Sequence, residues 1–233
     1  MERSIAPRGG LFITLEGPDG AGKSSQARLL TDRLRGLGLE VVMAREPGGT
    51  DIGERIRRVL LEVSAKAHDP LSDALLFNAA RHQLVSEVIR PALQRGALVV
   101  CDRFADSTLA YQGYGAGAPL DVLRTIAGLA TDGLTPTRTL LLDLPVDAGL
   151  ERRTGGPASE LTRFETAEDH GRTFHERVRQ GYLELAAADR ARWRIVDASD
   201  PPTEVADAVW EAVSDLLPGA AAGDASRGES RRS

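Results

Sequence analysis

Cys101 is the only cysteine in 233 residues. This excludes an intramolecular disulfide framework and any cysteine-based zinc site, and it fits a reducing compartment. Cys101 closes an apolar run and reads as a small buried group rather than a nucleophile. Positive charge is also short: 29 lysines and arginines face 34 acidic residues, a net charge of −5. Broad binding to nucleic acid or anionic lipid is therefore not expected, and any anionic ligand must meet a local positive cluster. No run approaches the roughly 18 apolar residues that span a bilayer, and residues 1–10 lack the apolar middle of a secretory signal. The expectation is a cytoplasmic protein with no membrane or nucleic-acid partner. His68, His82, His170 and His175 form no i, i+4 pair with a carboxylate partner, so they do not suggest a metal site. No internal repeat of fixed period is present. Residues 218–233 hold no large apolar side chain, cannot offset the entropy of ordering, and are expected to form a disordered tail. With a flexible extension over 1–10, one domain is left at 11–217.

What the chain does have is alternation. Short apolar, β-branched runs at 11–16, 40–45, 97–103, 139–144 and 193–198 predict buried strands. Helical patterns lie between and after them, at 24–37, 52–61, 70–94, 120–130, 167–188 and 203–217. Over 70–94, Leu71, Leu75, Val85, Val88, Ile89 and Leu93 fall mostly on one face of a 3.6-residue repeat. Strands alternating with helices imply right-handed crossovers and an α/β fold with a mainly parallel sheet covered on both faces. Ligands of such sheets bind beyond the carboxyl ends of the strands.

The first strand end carries the densest glycines. Gly17-Pro18-Asp19-Gly20-Ala21-Gly22-Lys23-Ser24 satisfies G-x-x-x-x-G-K-[ST], with a strand before it and a helix after it. Glycines let backbone N–H groups converge on phosphate oxygens while the following helix presents its positive end. Lys23 can then reach the outer phosphates and Ser24 can hold magnesium, so a polyphosphate is expected against residues 17–25, Ser25 included.

Two further strand ends carry charge. Cys101-Asp102-Arg103 follows the third run; Asp102 can orient magnesium-bound water and Arg103 can grip a phosphate in a bidentate fork. Alternatively, Asp102 caps the next helix and Arg103 pairs with it. Arg45-Glu46-Pro47-Gly48-Gly49-Thr50 follows the second run and places Arg45 where the chain leaves the core. Lys23, Arg45 and Arg103 together exceed what the phosphates of one nucleotide require. A switch GTPase would need a guanine-reading Asn-Lys-x-Asp element, and the only asparagine, Asn78, is followed by alanine. A kinase instead needs a second pocket, with positive groups on both sides of the transferred phosphoryl.

Residues 16–25, "REPGGT" at 45–50, "LLFNAAR" with Phe77 and Arg81, and "DRFADSTLAYQG" at 102–113 together resemble bacterial thymidylate kinases, over roughly residues 11 to 208. The resemblance implies a P-loop NTPase three-layer fold with a five-stranded parallel sheet flanked by helices. It also implies ATP and Mg²⁺, phosphorylation of dTMP to dTDP, and a homodimer. By the same resemblance Phe77 stacks on thymine, Arg81 hydrogen-bonds its exocyclic oxygen and Thr108 meets the base edge. Tyr111 packs near the sugar C2′, Gln112 lines the base pocket, and Arg45 and Arg103 hold the acceptor phosphate. Asp19 contacts the acceptor side of the loop, while Ser24 and Asp102 serve the metal. Spacing permits the Phe77–Arg81 pairing, since residues four apart share a helix face. For Phe77 the alternative is core packing, for Arg81 a solvated charge, and for 108, 111 and 112 a surface helix.

Positions 18–21 hold no arginine, so the resemblance implies that a lid at about 151–165, "ERRTGGPASELTRFE", supplies the catalytic one. Arg163 matches best, with Arg152 and Arg153 as alternatives, although 154–161 lacks the basic residue usual in such lids. Lys23, Asp19, Arg103 and Arg163 thus form the implied catalytic set. The other readings are a kinase of another deoxynucleoside monophosphate or of a nucleoside, and a catalytically silent nucleotide-binding regulator. The Arg163→Ala variant is expected to lower kcat with little change in dTMP affinity, measured by steady-state kinetics beside equilibrium dTMP binding. An unchanged kcat would move the role to Arg152 or Arg153.

Overall fold

The computed structural model describes residues 10–61, 69–154 and 171–217. The expected extension up to residue 9, lid residues 155–165 with Arg163, His68, His170 and the tail from 218 lie outside the described residues.

The β-branched runs form strands β1 (Phe12–Glu16), β2 (Val41–Arg45), β3 (Leu98–Asp102), β4 (Arg138–Asp143) and β5 (Trp193–Asp197). They make one parallel sheet in the order β2-β3-β1-β4-β5. Its central strand, β1, is buried along its whole length. Alternation along β1 divides the core. Ile13 and Leu15 join Ala27, Leu30 and Leu34 of α1 (Lys23–Gly36) on one side. Phe12, Thr14 and Glu16 take the opposite face, where Phe12 packs edge-on against Phe104 with ring centroids 4.9 Å apart. Register then aligns the functional strand ends: Asp102 pairs with Leu15 of β1 on one side and with Arg45 of β2 on the other.

The remaining helices are α2 (Asp51–Leu61), α3 (Pro70–Leu84), α4 (Arg90–Gln94), α5 (Ala105–Thr108), α6 (Leu120–Thr131), α7 (Val146–Thr154), α8 (Arg172–Ala188) and α9 (Pro202–Ser214). The helix expected over 70–94 is interrupted by a π-helical turn at Val85–Ile89. That turn shifts the phase of the helix, so the apolar stripe does not lie on one face. Val85 and Ile89 are buried, whereas Leu71 and Leu75 are 37% and 51% exposed.

Two helical segments escaped the periodicity argument. Residues 105–115 form α5 and a second π-helical stretch, Leu109–Gly115. This segment is buried on nearly every side, so it has no amphipathic stripe to read, and it is not the surface helix entertained above. α7 is short, follows Pro145 and contains Gly149, features that weaken a helical signal. Among the described residues no helix is long and apolar enough to cross a membrane.

Candidate active site

The glycine-rich loop takes the form its spacing predicts. Gly17, Gly20 and Gly22 have φ of 143°, 78° and 82°, values that side chains rarely tolerate. α1 starts at Lys23 behind Gly22 with no side-chain cap, so its first N–H groups face the loop. Gly20 also lies against the backbone of Gly149: a Cβ on Gly20 would come within 2.4 Å of the Gly149 carbonyl oxygen. Two glycines thus let α7 sit directly on the phosphate loop.

Lys23 Nζ is buried and donates to the Pro18 carbonyl at 2.7 Å. Its pKa is lowered to about 8 by burial first and then by Arg103, against the pull of Asp19, Asp102 and Glu16. A polyphosphate would supply the negative charge this ammonium lacks. Ser24 Oγ donates to Asp102 Oδ2. Asp102 Oδ1 is buried with no hydrogen-bond donor on it, which suits a hard cation. No group of three or more His, Cys, Asp and Glu able to hold a metal occurs among the described residues. A Mg²⁺ at Ser24 and Asp102 would therefore take its other ligands from phosphates and water.

The capping alternative for Asp102 is overturned. α5 starts behind Phe104 without a side-chain cap, and Arg103 pairs with Asp19 rather than Asp102. Arg103 occupies the left-handed region at φ 67°, unusual for a residue with a Cβ. Its Nη2 donates to Asp19 and to the Tyr111 hydroxyl (3.2 Å), and its guanidinium stands 4.9 Å from the Tyr111 ring centroid. Its Nη1 donates to Gly17 O and Ser107 Oγ, both at 3.3 Å, and to the Tyr182 hydroxyl at 3.4 Å. Behind it lies Glu16, whose carboxyl is pushed up to about 7 by burial and then by Asp106. Burial likewise drives the phenols of Tyr111 and Tyr182 and the Cys101 thiol up, so all three stay neutral. Cys101 is the small buried group expected.

A cavity of about 520 Å³ opens from the loop. Asp19, Gly20, Gly22, Lys23, Ser24, Ser25, Asp102 and Arg103 line it, and so do Arg45, Phe77, Thr108, Tyr111 and Gln112. Residues read as donor-side and acceptor-side ligands thus share one space. Gly17, Pro18 and Ala21 shape the loop from behind that wall. Arg81 is also set back: it is 1% exposed, so it is not a solvated charge. Its Nε and Nη2 meet the Glu46 carboxylate at 2.7 to 3.1 Å, Nη1 donates to Asn78 Oδ1, and Nη2 donates to Phe104 O and Thr108 Oγ1. It fixes the side chain of Thr108, which does reach the cavity.

Sequence reasoning missed Glu46, Pro47, Arg57, Leu61 and Ser107 on the wall. Arg57 donates to Pro47 O at 2.8 Å. It is half-buried, with a pKa lowered by that burial and then by Arg45, while Glu54 and Asp102 oppose the shift. Arg45, by contrast, is 54% exposed and paired with Glu54 at 3.2 Å. Glu54 also accepts from Gly49 N at 2.8 Å, so α2 is tied to the turn before it. That α2 begins directly after "REPGGT" was the available signal, since its first turns must lie beside the strand ends. Of the lid arginines, Arg152 donates to Ala198 O and Ser199 O at 2.8 and 3.2 Å, away from the cavity wall. The Asp197–Ser199 segment is itself a turn closed by Ser199 N on Asp197 Oδ1 at 2.8 Å.

The family model described as thymidylate kinase matches residues 15–209. A thymidylate kinase of Deinococcus radiodurans is 51% identical over 208 residues, covering 88% of this chain and 97% of that one. One of Thermomicrobium roseum is 50% identical over 206 residues, covering 88% and 95%. A crystal structure of thymidylate kinase from Ehrlichia chaffeensis aligns with a TM-score of 0.69 and 32% identity, covering 87% of this chain and 98% of that one.

The fully buried Arg81–Glu46 pair is the site's structural keel. Burial raises the Glu46 carboxyl while Arg81 draws it back down. Glu46→Ala would leave the guanidinium buried without its counter-charge and is expected to cost about 3 to 5 kcal/mol of stability, read by urea denaturation. A loss below about 1 kcal/mol would show that the pair is not needed to hold this wall.

Proposed function

The chain belongs to the thymidylate kinase family, and from that premise we propose that it transfers the γ-phosphoryl group of ATP to dTMP, yielding dTDP and ADP. The observation that carries this reading is the single cavity lined both by the phosphate loop and by Arg45, Arg57, Arg103, Phe77, Thr108 and Gln112. It offers one space with cationic groups for the phosphates of two nucleotides and an aromatic, hydrogen-bonding wall for a base.

The chemistry asks little of a general base, and none is assigned. A phosphate monoester has a second pKa of about 6, so dTMP arrives largely as a dianion whose oxygen can attack phosphorus directly. A bond forms between that oxygen and the γ-phosphorus as the bond to the β,γ-bridging oxygen breaks and ADP leaves. The protein's task is alignment and charge neutralisation. The loop N–H groups and Lys23 bind the donor phosphates, and Arg103, held by Asp19, grips the acceptor phosphate with Arg45 and Arg57. Phe77 covers the base, with Thr108, positioned by Arg81, and Gln112 at its edge; Tyr111 packs against the sugar. Arg163 completes the set from the lid. Mg²⁺ held at Ser24 and Asp102 would neutralise charge on the donor phosphates and orient them.

A second copy of the chain is the proposed partner. Ile52 and Val59 of α2, Leu71 and Leu75 of α3, and Val122 and Leu129 of α6 are exposed apolar side chains on helices that contact one another in series. A cytoplasmic setting accords with the lone, buried Cys101.

The test is ADP release with ATP and Mg²⁺, comparing dTMP, dUMP, UMP, dCMP and AMP against a no-acceptor control. A marked preference for dTMP is expected. Turnover with another acceptor alone would overturn the thymine assignment, and none with any acceptor would favour a silent nucleotide-binding regulator. In the same assay Arg57→Ala is expected to raise the KM for dTMP about tenfold, the effect of one charge-assisted contact, with the KM for ATP unchanged. Equal changes in both would refute its assignment to the acceptor phosphate. Phe77→Ala is expected to weaken dTMP binding and leave ATP binding intact.

A further inference from the structure

Glu16 takes no part in the transfer as described, yet its carboxylate accepts from three separate residues beside the cavity. It ends β1 on the face shared with Phe12 and Thr14 and is fully buried. Phe104 N donates to Oε1 at 2.7 Å, while Ser107 Oγ and the Tyr182 hydroxyl donate to Oε2 at 2.5 and 3.0 Å. These donors come from the turn after β3, from α5 and from α8, so one carboxylate ties β1 to all three. The same two hydroxyls accept from Arg103 Nη1, at 3.3 and 3.4 Å.

A hydroxyl has one proton and two lone pairs. The two hydroxyls also stand 2.9 Å apart and hydrogen-bond each other; whichever of them donates, both protons are spent on Glu16 or on that bond, and lone pairs remain for the guanidinium. The Phe104 N–H bond anchors the residue directly after Arg103, whose φ of 67° is one that side chains avoid.

We propose that Glu16 is a positioning residue for the acceptor phosphate: it sets the direction of the Ser107 and Tyr182 hydroxyls and thereby holds the Arg103 guanidinium over the phosphate loop. The inference rests on the reading of this cavity as the dTMP site. It concerns only the grip on phosphate, because Glu16 does not line the cavity. Thymidine, which has the same base and sugar but no phosphate, is therefore the natural control.

In Glu16→Gln the side-chain amide can accept from Phe104 N and donate to the hydroxyls, which keeps the fold's hydrogen bonds but turns the hydroxyl protons toward Arg103. Binding of dTMP, thymidine and ATP to the full chain is measured by titration calorimetry at about pH 8.5, where the Glu16 carboxyl is ionised, with the thermal melt as a check on folding. The Kd for dTMP is expected to rise about tenfold, as for a lost charge-assisted contact, while those for thymidine and ATP stay within about twofold. Tyr182→Phe, which removes one acceptor and leaves Glu16 in place, is expected to raise the dTMP Kd by about threefold and to spare thymidine. In an Arg103→Ala background, Glu16→Gln is expected to have no further effect on dTMP. Equal losses for dTMP and thymidine would reduce Glu16 to a structural residue and overturn the proposal. Unchanged dTMP binding in both variants would overturn it as well. If the wild-type chain failed to bind dTMP at all, the assignment of the cavity itself would fall instead.

Discussion

Lys23, Arg45, Arg57 and Arg103 face one cavity, and their mutual repulsion is the constraint that the surrounding structure has to contain. The burial that strengthens attraction to a phosphate also strengthens repulsion between the cations. Burial first, and then Arg103, lowers the pKa of Lys23; burial first, and then Arg45 and Arg103, lowers that of Arg57. Two of the four cations have carboxylate partners: Asp19 for Arg103 and Glu54 for Arg45. Lys23 and Arg57 rest on carbonyl oxygens, of Pro18 and Pro47. A carbonyl satisfies a hydrogen bond without neutralising a charge. Asp19, Glu46 and Asp102 share the wall and offset part of this charge, so a chain with a net charge of −5 has gathered four cations in one place with only partial compensation, which suits an anion.

The features legible in the sequence were those encoded locally. The phosphate loop could be read because each of its glycines takes a positive φ of its own and the helix start follows at once. The strands could be read because continuous β-branched runs suit a sheet buried on both faces. Segment 105–115 could not be read as a helix because it is buried nearly all round, and periodicity reports a boundary between core and water that this segment does not have. The break at Val85–Ile89 was hidden for a related reason, since a π-helical turn changes the phase that the 3.6-residue count assumes constant.

Arg57 and Arg81 illustrate the same limit at the level of single side chains. Both lie on helices whose sequence allows an ordinary solvated reading. What separates them from solvated arginines is where α2 and α3 come to lie: α2 carries Arg57 to the cavity wall, and α3 buries Arg81 behind it against Glu46. The resemblance to thymidylate kinases placed Arg81 at the thymine exocyclic oxygen. In the structure its guanidinium is occupied by Glu46, Asn78, Phe104 and Thr108, of which Glu46 and Thr108 line the cavity. Glu16 is a further case. An acidic residue at a strand end can be read from sequence, but its partnership with Ser107 and Tyr182, 91 and 166 residues away, cannot.

The cavity's arginines are held to very different degrees, and under the proposed reaction this difference bears on catalysis. Arg45 is more than half exposed, so it retains much of its freedom until an anion arrives. The side chain of Arg103 is 20% exposed and is fixed by Asp19, Tyr111, Ser107, Tyr182 and the Gly17 carbonyl. A group already aimed at the place where charge develops needs no reorganisation when the reaction occurs. The cost of orienting Arg103, including its left-handed backbone, is therefore borne during folding. That cost can be borne there because two of the orienting groups, Ser107 and Tyr182, are tied to Glu16 at the buried end of the central strand, where the rest of the fold already fixes its position.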